Sequence, residues 1–465
     1  MEYDIRIGLE VHCELNTKSK MFCSCKNSFG DSPNENCCPV CTGLPGALPS
    51  LNKEAVKKAI KTGLALNCQI NNNTYLDRKN YFYPDLPKAY QISQFYEPIC
   101  QNGYLEILDN DIIKKIRIKE IHFEEDAGKL IHDRYDDLTL IDYNRCGVPL
   151  IEIVTMPDIE NINQAKEFLD GIKLLLKYIG VSECKMEQGM LRCDVNVSVM
   201  EKGSETLGNR LEMKNINSFS AAIKAIEYEA KRQIEELRKG NKIISQTRKW
   251  DSINEKSVLM RDKEESADYR FFKEPDIPFI EIDDKIISEI KREIPILPFE
   301  RFLTYTKKYN LSKDDAMTLI RDKEKSDFFD KCVLINNNYK IISNKIINDF
   351  AKISPEEFCR VIDFVNEGRI SNSSVGKIFQ EMEKNNISAS DALDNLGLNQ
   401  INDENYIEEI IKTVLEENEK AVEDFKNGKK NAVGFLIGQC MIKSKGKLNP
   451  QILNSMIYKI IEKGE

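Results

Sequence analysis

Several runs of this 465-residue chain alternate apolar and polar residues, and their polar positions carry metal-binding side chains. In the run from Ile5 to His12, Ile5, Ile7, Leu9 and Val11 fall on one side of a strand and Arg6, Glu10 and His12 on the other. From Leu191 to Val199 the odd positions face a core, while Arg192, Asp194, Asn196 and Ser198 face away. Leu211 to Lys214 continues the pattern and adds Glu212. A fourth run, Ile116 to Glu125, changes phase between Ile118 and Ile121, which predicts a bulge or a strand end. Spacing alone leaves Glu124 and Glu125 as alternatives for the polar side. Carboxylates brought together repel, so such a cluster calls for a cation, and an oxygen-rich set with one imidazole suits Mg²⁺ or Mn²⁺. The alternative is an ordinary solvated sheet face, since strand order is not visible in a sequence.

Cys23, Cys25, Cys38 and Cys41 form a C-x-C…C-x₂-C pattern around a short loop containing Gly and Asn. Four thiolates at this spacing suit tetrahedral structural Zn²⁺, with Cys37 competing against Cys38 for one place. Unmetallated thiols are the alternative. A redox role is disfavoured because no thioredoxin-like βαβ unit surrounds the motif. Between Asp77 and Gln91, Arg78, Lys79 and Lys88 mix with Tyr81, Phe82, Tyr83 and Tyr90, and Pro84 and Pro87 predict a loop. Such cations can hold phosphate and such rings can flank a base. Neither a P-loop nor a G-x-G-x-x-G occurs, so ATP use would need a site of metal and carboxylates. Lys426, Lys429, Lys430, Lys443, Lys445 and Lys447 near the C-terminus read as a solvated helix face or an RNA contact.

The elements that would position these groups point to an α+β fold: a largely antiparallel sheet with helices on one face. Residues 163–179 place Ala165, Phe168, Leu169, Ile172, Leu175, Leu176 and Ile179 on one stripe before Gly180, and 219–239 predict a second long amphipathic helix. The chain is long enough for two to four domains. Pro295 and Pro298 suggest a linker, giving a domain over 1–292, short helices over 293–405 and a Lys-rich helical tail over 406–465. A hydrophobic content of 41% with 31% charged residues fits a folded, soluble chain. The net charge of −9 argues against a surface coated by nucleic acid, but not against local basic patches. Of the fourteen cysteines, Cys68, Cys184 and Cys359 stand among apolar neighbours and read as buried thiols. Without an apolar span or a leader-like N-terminus, the expected location is the cytoplasm, with no membrane partner.

Beyond these patterns, long segments in order resemble the B subunit family of the aspartyl/glutamyl-tRNA amidotransferases. They include IGLEVHCELNTKSKMFC, CPVCTGLPGALPSLN, DRKNYFYPDLPKAYQISQ, HFEEDAGKLIHD, DYNRCGVPLIEIVTMPDI, MEQGMLRCDVNVSV and MRDKEESADYRFF, with VGFLIGQCMIKSKGKLNP near the end. The resemblance covers almost the whole chain. It implies a glutamine-synthetase-like cradle domain, then a helical domain and a YqeY-like tail that contacts tRNA. It implies a heterotrimer with an amidase (the A subunit) and a small third protein (the C subunit). Ammonia released from glutamine by the amidase would reach this chain, where ATP phosphorylates the side-chain carboxylate of a mischarged Glu-tRNA(Gln) or Asp-tRNA(Asn). By the same resemblance, Glu10, His12 and Glu125 hold Mg²⁺, with Asp194 and Glu212 as additional ligands. Glu125, Lys79 and Lys88 would be catalytic, and Tyr81 and Tyr90 would border the nucleotide and the ammonia path together with Lys79. The four cysteines would hold a structural or RNA-contacting zinc, and Lys443, Lys445 and Lys447 would grip the tRNA. The chain has no Gly/Ser-rich amidase signature, so it should not hydrolyse glutamine alone. Two other readings remain. The related archaeal protein carries a large inserted synthetase-like domain for which this length leaves no room. A non-catalytic zinc-containing tRNA-binding subunit would leave the acidic face without a role.

Overall fold

A computed structural model describes residues 2–132, 138–262, 268–398, 404–426, 431–444, 448 and 450–463. The chain divides into two compact units, Met1–Glu300 and Arg301–Glu465. The strands of the first are β1 (Tyr3–Glu14), β2 (Gln69–Ile70), β3 (Asn73–Thr74), β4 (Asp77–Asn80), β5 (Tyr90–Ser93), β6 (Cys100–Asp109), β7 (Ile112–Glu125), β8 (Lys129–His132), β9 (Thr139–Asp142), β10 (Pro149–Thr155), β11 (Leu191–Glu201), β12 (Leu211–Lys214), β13 (Gln246–Asp251), β14 (Lys256–Asp262), β15 (Phe272–Lys273) and β16 (Ile280–Glu281). Twelve of them form one sheet in the order β14-β13-β12-β11-β1-β10-β7-β5-β4-β15, with β6 beside β7 and β2 beside β6. Every pairing is antiparallel except that of β12 with β13. The fold is α+β, as the alternation and the helical stripes predict.

The sheet buries one face under α1 (Lys53–Ala65), α2 (Ile162–Tyr178) and α3 (Phe219–Arg238). Ile7, Leu9, Val11 and Cys13 of β1 meet Phe168, Leu169, Ile172 and Leu176 of α2 in a single core. α2 starts where Asn161 accepts the Gln164 N–H at 2.9 Å, which satisfies an otherwise unpaired helix-end donor. It stops before Gly180, whose φ of +69° an L side chain disfavours. Ser218 caps α3 in the same way through the Ala221 N–H. Burial on the helix side leaves the even-numbered residues of β1, among them Glu10 and His12, on the opposite face.

The phase change in β7 has a local cause. Val154 of β10 pairs with Glu120, but Thr155 pairs with Ile118, so Lys119 is the extra residue of a bulge. Ile116 and Ile118 are buried before it, Ile121 and Phe123 after it. The stretch 77–91, expected as a loop throughout, begins with β4 and ends with β5, which pair with each other. Asp77 accounts for the difference: fully buried, it accepts the Phe95 and Tyr96 N–H groups at 2.7 and 3.2 Å, so its polar type marks a turn anchor rather than a loop.

The second unit is helical. Lys313–Ile320, Lys323–Cys332, Tyr339–Asn348, Pro355–Asn366, Val375–Asn385 and Ala389–Leu396 are short helices. Glu404–Glu417, Asn431–Lys443 and Pro450–Lys463 bury Ile407, Ile411, Leu436, Leu453 and Ile457 in a core cluster of their own. Among the described residues, no helix is long and apolar enough to cross a membrane. Cys68, Cys184 and Cys359 are buried free thiols, as their apolar neighbours suggest.

Candidate active site

β1 lies between β11 and β10, and its register brings the polar residues together. Glu10 stands opposite Asp194 and His12 opposite Glu152. Glu152 in turn stands opposite His122 of β7. Two groups result, each with its ligand atoms within 4.8 Å of one another: Glu10, Asp194 and Glu212, and His12, Glu124 and Glu152. In the first, Lys214 Nζ bridges Asp194 Oδ2 at 2.7 Å and Glu212 Oε1 at 2.8 Å. Asn196 donates to Glu10 at 2.9 Å. In the second, His12 Nε2 is 3.6 Å from Glu124 and 3.5 Å from Glu152, and His122 Nε2 is 2.8 Å from Glu152.

The electrostatics of both groups favour a cation. Burial raises the Glu10 pKa, and Glu152, Glu212 and Asp194 add to the rise against the hydrogen bond from Asn196. Burial opposes protonation of His12, but Glu152, Glu124 and Asp194 outweigh it and raise the group to about 9. Glu152 is itself held well below the usual carboxylate range: burial works against this, and His122 and His12 overcome it. A proton on His12 and the Lys214 ammonium therefore supply, in the protein alone, the positive charge the carboxylates demand. Oxygen donors with one imidazole fit divalent ions of the magnesium class, and the hydrogen bond between His122 and Glu152 would orient a ligand from behind. Farther along the same face, Glu14, Asp126, Arg192 and Arg145 form a second charged knot, with Arg192 and Arg145 at 3.1 and 3.3 Å from Asp126.

Glu125 does not join this face. The bulge in β7 gives Glu124 the place beside His12, and the next residue turns to the other side of the strand. There the Glu125 carboxylate accepts the Ile92 N–H at 2.9 Å and pairs with the Lys88 ammonium. The expected set of Glu10, His12, Glu125, Asp194 and Glu212 is thus divided, with Glu125 outside both groups. Lys88 and Glu125 border a cavity of about 150 Å³ together with Phe22, Cys41, Tyr90 and Gly147. Lys88 Nζ lies 5.3 Å from the centre of the Tyr90 ring. Lys79 lies 5.1 Å from the Tyr269 ring, which Tyr81 meets edge-on at 6.2 Å. Burial, then Glu124 and Asp85, raise the Tyr81 phenol, so it stays protonated as a donor.

The cysteine group closes as its spacing predicts: one sulfur each from Cys23, Cys25, Cys38 and Cys41 lie within 4.8 Å of one another. Cys37 turns toward Asn34, 3.9 Å away, which leaves Cys38 as the fourth member. Cys41 is lowered to about 4, chiefly by the Cys23 thiol, with the Cys38 N–H at 3.2 Å helping. Four converging sulfurs, one of them already thiolate-like, fit a structural zinc.

Two families cover most of the sequence: one described as GatB/GatE catalytic domain matches residues 5–288, and one described as GatB domain matches 327–461. The B subunit of the aspartyl/glutamyl-tRNA(Asn/Gln) amidotransferase of Caldicellulosiruptor saccharolyticus is 49% identical over the full length of both chains. The chain belongs to this family. The corresponding B subunits of Lachnoclostridium phytofermentans and of Clostridium botulinum strain Okra are 45% and 47% identical, over 99% and 98% of both chains. Within this family frame, the tail residue Lys443 pairs with Glu417, while Lys445 and Lys447 lie outside the described residues. Glu152 and His122 are the members of the acidic face that sequence reasoning missed. Both carried a signal, since Glu152 stands between Ile151 and Ile153, and His122 between Ile121 and Phe123.

Proposed function

We propose that this chain is the ATP-using subunit of a glutamine-hydrolysing, tRNA-dependent amidotransferase. It activates the side-chain carboxylate of Glu-tRNA(Gln) or Asp-tRNA(Asn) and amidates it in the cytoplasm. The observation that carries the proposal is the pair of carboxylate groups side by side on one sheet face, Glu10/Asp194/Glu212 and His12/Glu124/Glu152. A sheet with helices behind it and acids in front also supports the glutamine-synthetase-like cradle. Divalent cations bound there supply charge neutralisation to nucleotide phosphates during phosphoryl transfer.

In the first step a side-chain carboxylate oxygen attacks the γ-phosphorus of ATP, the bond to ADP breaks and an acyl phosphate forms. In the second, ammonia attacks the carbonyl carbon and inorganic phosphate departs. Lys214 keeps Asp194 and Glu212 apart from their mutual repulsion until phosphate arrives. Tyr81, close enough to Glu124 to feel its charge, and Lys79, over the Tyr269 ring, offer donors to phosphate or carboxylate oxygens. Lys88 and Glu125 stand on the ammonia side, where the Glu125 carboxylate takes, on the oxygen not engaged by Ile92 and Lys88, the proton the incoming nitrogen releases. Tyr90 walls this path, and the cysteine group holds a structural zinc. The amidase (the A subunit) and the small C subunit are the partners, with the helical and tail segments, including Lys443, Lys445 and Lys447, on the tRNA.

The test is amide formation by the assembled complex given mischarged tRNA, glutamine, Mg²⁺ and ATP. Product that needs ATP and disappears with Glu10→Ala or Glu124→Ala, while tRNA binding persists, is the expected result. Full turnover in both variants would leave a non-catalytic tRNA-binding protein as the better description.

A further inference from the structure

Lys20 is fully buried, and its charge needs an account. Its Nζ donates to the Asn36 carbonyl at 2.7 Å and the Tyr143 carbonyl at 3.3 Å, and lies 3.7 Å from Cys41 Sγ. Among the described residues, it forms no ion pair with a carboxylate. A buried ammonium without an anion is costly, and carbonyl dipoles replace only part of its hydration. Cys41, and through it the four-sulfur group, is the anion at hand. A zinc ion on four thiolates keeps a net negative charge, which a buried cation at this distance offsets.

The same group is built into the wall of the Lys88–Glu125 cavity. Cys23 and Cys41 line it. Gly147 touches every part: a methyl group there would meet Cys41 Cβ at 3.5 Å, Lys20 Cδ at 3.7 Å and Glu125 Oε2 at 3.8 Å. Backbone bonds fix this junction, from Met21 N–H to Gly147 O at 2.8 Å and from Gly147 N–H to Asp126 O at 2.9 Å. Two residues beyond Cys41, Gly43 has a φ of +69°, and a Cβ there would sit 2.6 Å from Lys88 Cγ and 3.0 Å from Lys88 Cα. The turn that closes the cysteine group is therefore the surface on which the Lys88 stem rests.

We infer that the four-cysteine knuckle is the seat of the Lys88–Glu125 pair, with Lys20 as its buried counter-cation, so that metal loading of the knuckle positions the pair. The inference rests on the zinc and amide-transfer roles proposed above. It makes Lys20 and Gly43 positioning residues, since neither touches the reacting atoms. It also makes the knuckle part of the ammonia side of the enzyme rather than a contact for RNA.

The experiment uses the assembled enzyme, with zinc measured per chain and amide formation measured with ammonium chloride as nitrogen donor. Gly46 is the control for Gly43: its φ is +86°, and a Cβ there meets nothing within 4 Å. Gly43→Ala should keep its zinc and the KM for ATP, yet lose about tenfold or more in kcat, while Gly46→Ala keeps all three. Lys20→Met should release zinc to a chelator at a concentration about tenfold lower than wild type requires. Zinc-loaded Gly43→Ala as active as Gly46→Ala overturns the inference alone, and this arm stands even where Lys20→Met does not fold. Wild-type zinc affinity in folded Lys20→Met overturns the counter-cation. Zinc-free, fully active wild-type protein overturns the metal assignment and the inference together.

Discussion

His12 offers the sharpest quantitative check on the acidic face. Its folded pKa is held at about 9, against 6.5 for the free group, because Glu152, Glu124 and Asp194 overcome the effect of burial. A basic group raised on folding contributes its full stability below the unfolded pKa and loses it as pH climbs through the folded one. The window of loss therefore runs from pH 6.5 to about 9. That rise is worth about 3.5 kcal/mol, at roughly 1.4 kcal/mol for each pH step. Water reaches 19% of the side chain and screens part of this, so about 1–3 kcal/mol is expected. Thermal unfolding of chelator-treated protein from about pH 6 to about 9.5 measures it, at roughly 2–4 °C per kcal/mol for a unit this large. Wild type should lose that stability relative to His12→Gln as pH rises. Excess Mg²⁺ should flatten the difference, because the cation takes over the charge the proton supplied. Parallel profiles for the two proteins, or a wild-type decline that Mg²⁺ leaves unchanged, would refute the assignment of His12 to a cation-demanding group.

The two adjacent glutamates of β7 should separate cleanly. Glu124→Gln should weaken Mg²⁺ binding in a direct titration, whereas Glu125→Gln should leave Mg²⁺ binding within about twofold and abolish amide formation. Arg78 grips fully buried Glu274 with two hydrogen bonds, at 2.7 and 2.9 Å. Arg78→Met strands that carboxylate and should cost about 3–5 kcal/mol in urea unfolding. Phe168→Ala empties a fully buried site between α2 and the sheet and should cost about 3–5 kcal/mol by the same measurement.

What the sequence carried was set by the reach of local periodicity. A period of two put Glu10 and His12 on one face, and Asp194 and Asn196 on theirs, because every residue in a strand alternates whatever its neighbours are. The register then needed only to align three such faces, and Glu10 meets Asp194 with no irregularity. β7 shows the limit. One inserted residue, Lys119, reverses the phase, and its place depends on a partner strand about thirty-five residues away in the chain. The phase change was visible at Ile118 and Ile121, but the side of Glu124 was not. The expectation that Glu125 stands with Glu10 and His12 followed the resemblance, and the structure groups Glu124 with His12 instead.

Contacts made by packing rather than by repeat left no trace at all. Lys20 reads as an ordinary lysine between Ser19 and Met21, and nothing near it signals that Cys41 and Tyr143 will enclose its ammonium. Gly43 reads as a turn glycine, and its φ of +69° would satisfy that reading even with open space around it. Its neighbour Gly46 has the same backbone sign and does have that space. The difference lies wholly in Lys88, 45 residues on. A glycine required for a turn and a glycine required for another residue's side chain cannot be told apart until both are placed. The same holds for a buried cation, whose meaning depends on the anion packed against it. In this protein those two facts bring the cysteine group and the Lys88–Glu125 pair to one wall. A sequence motif read as a structural staple thereby shares a cavity wall with the buried Glu125 carboxylate.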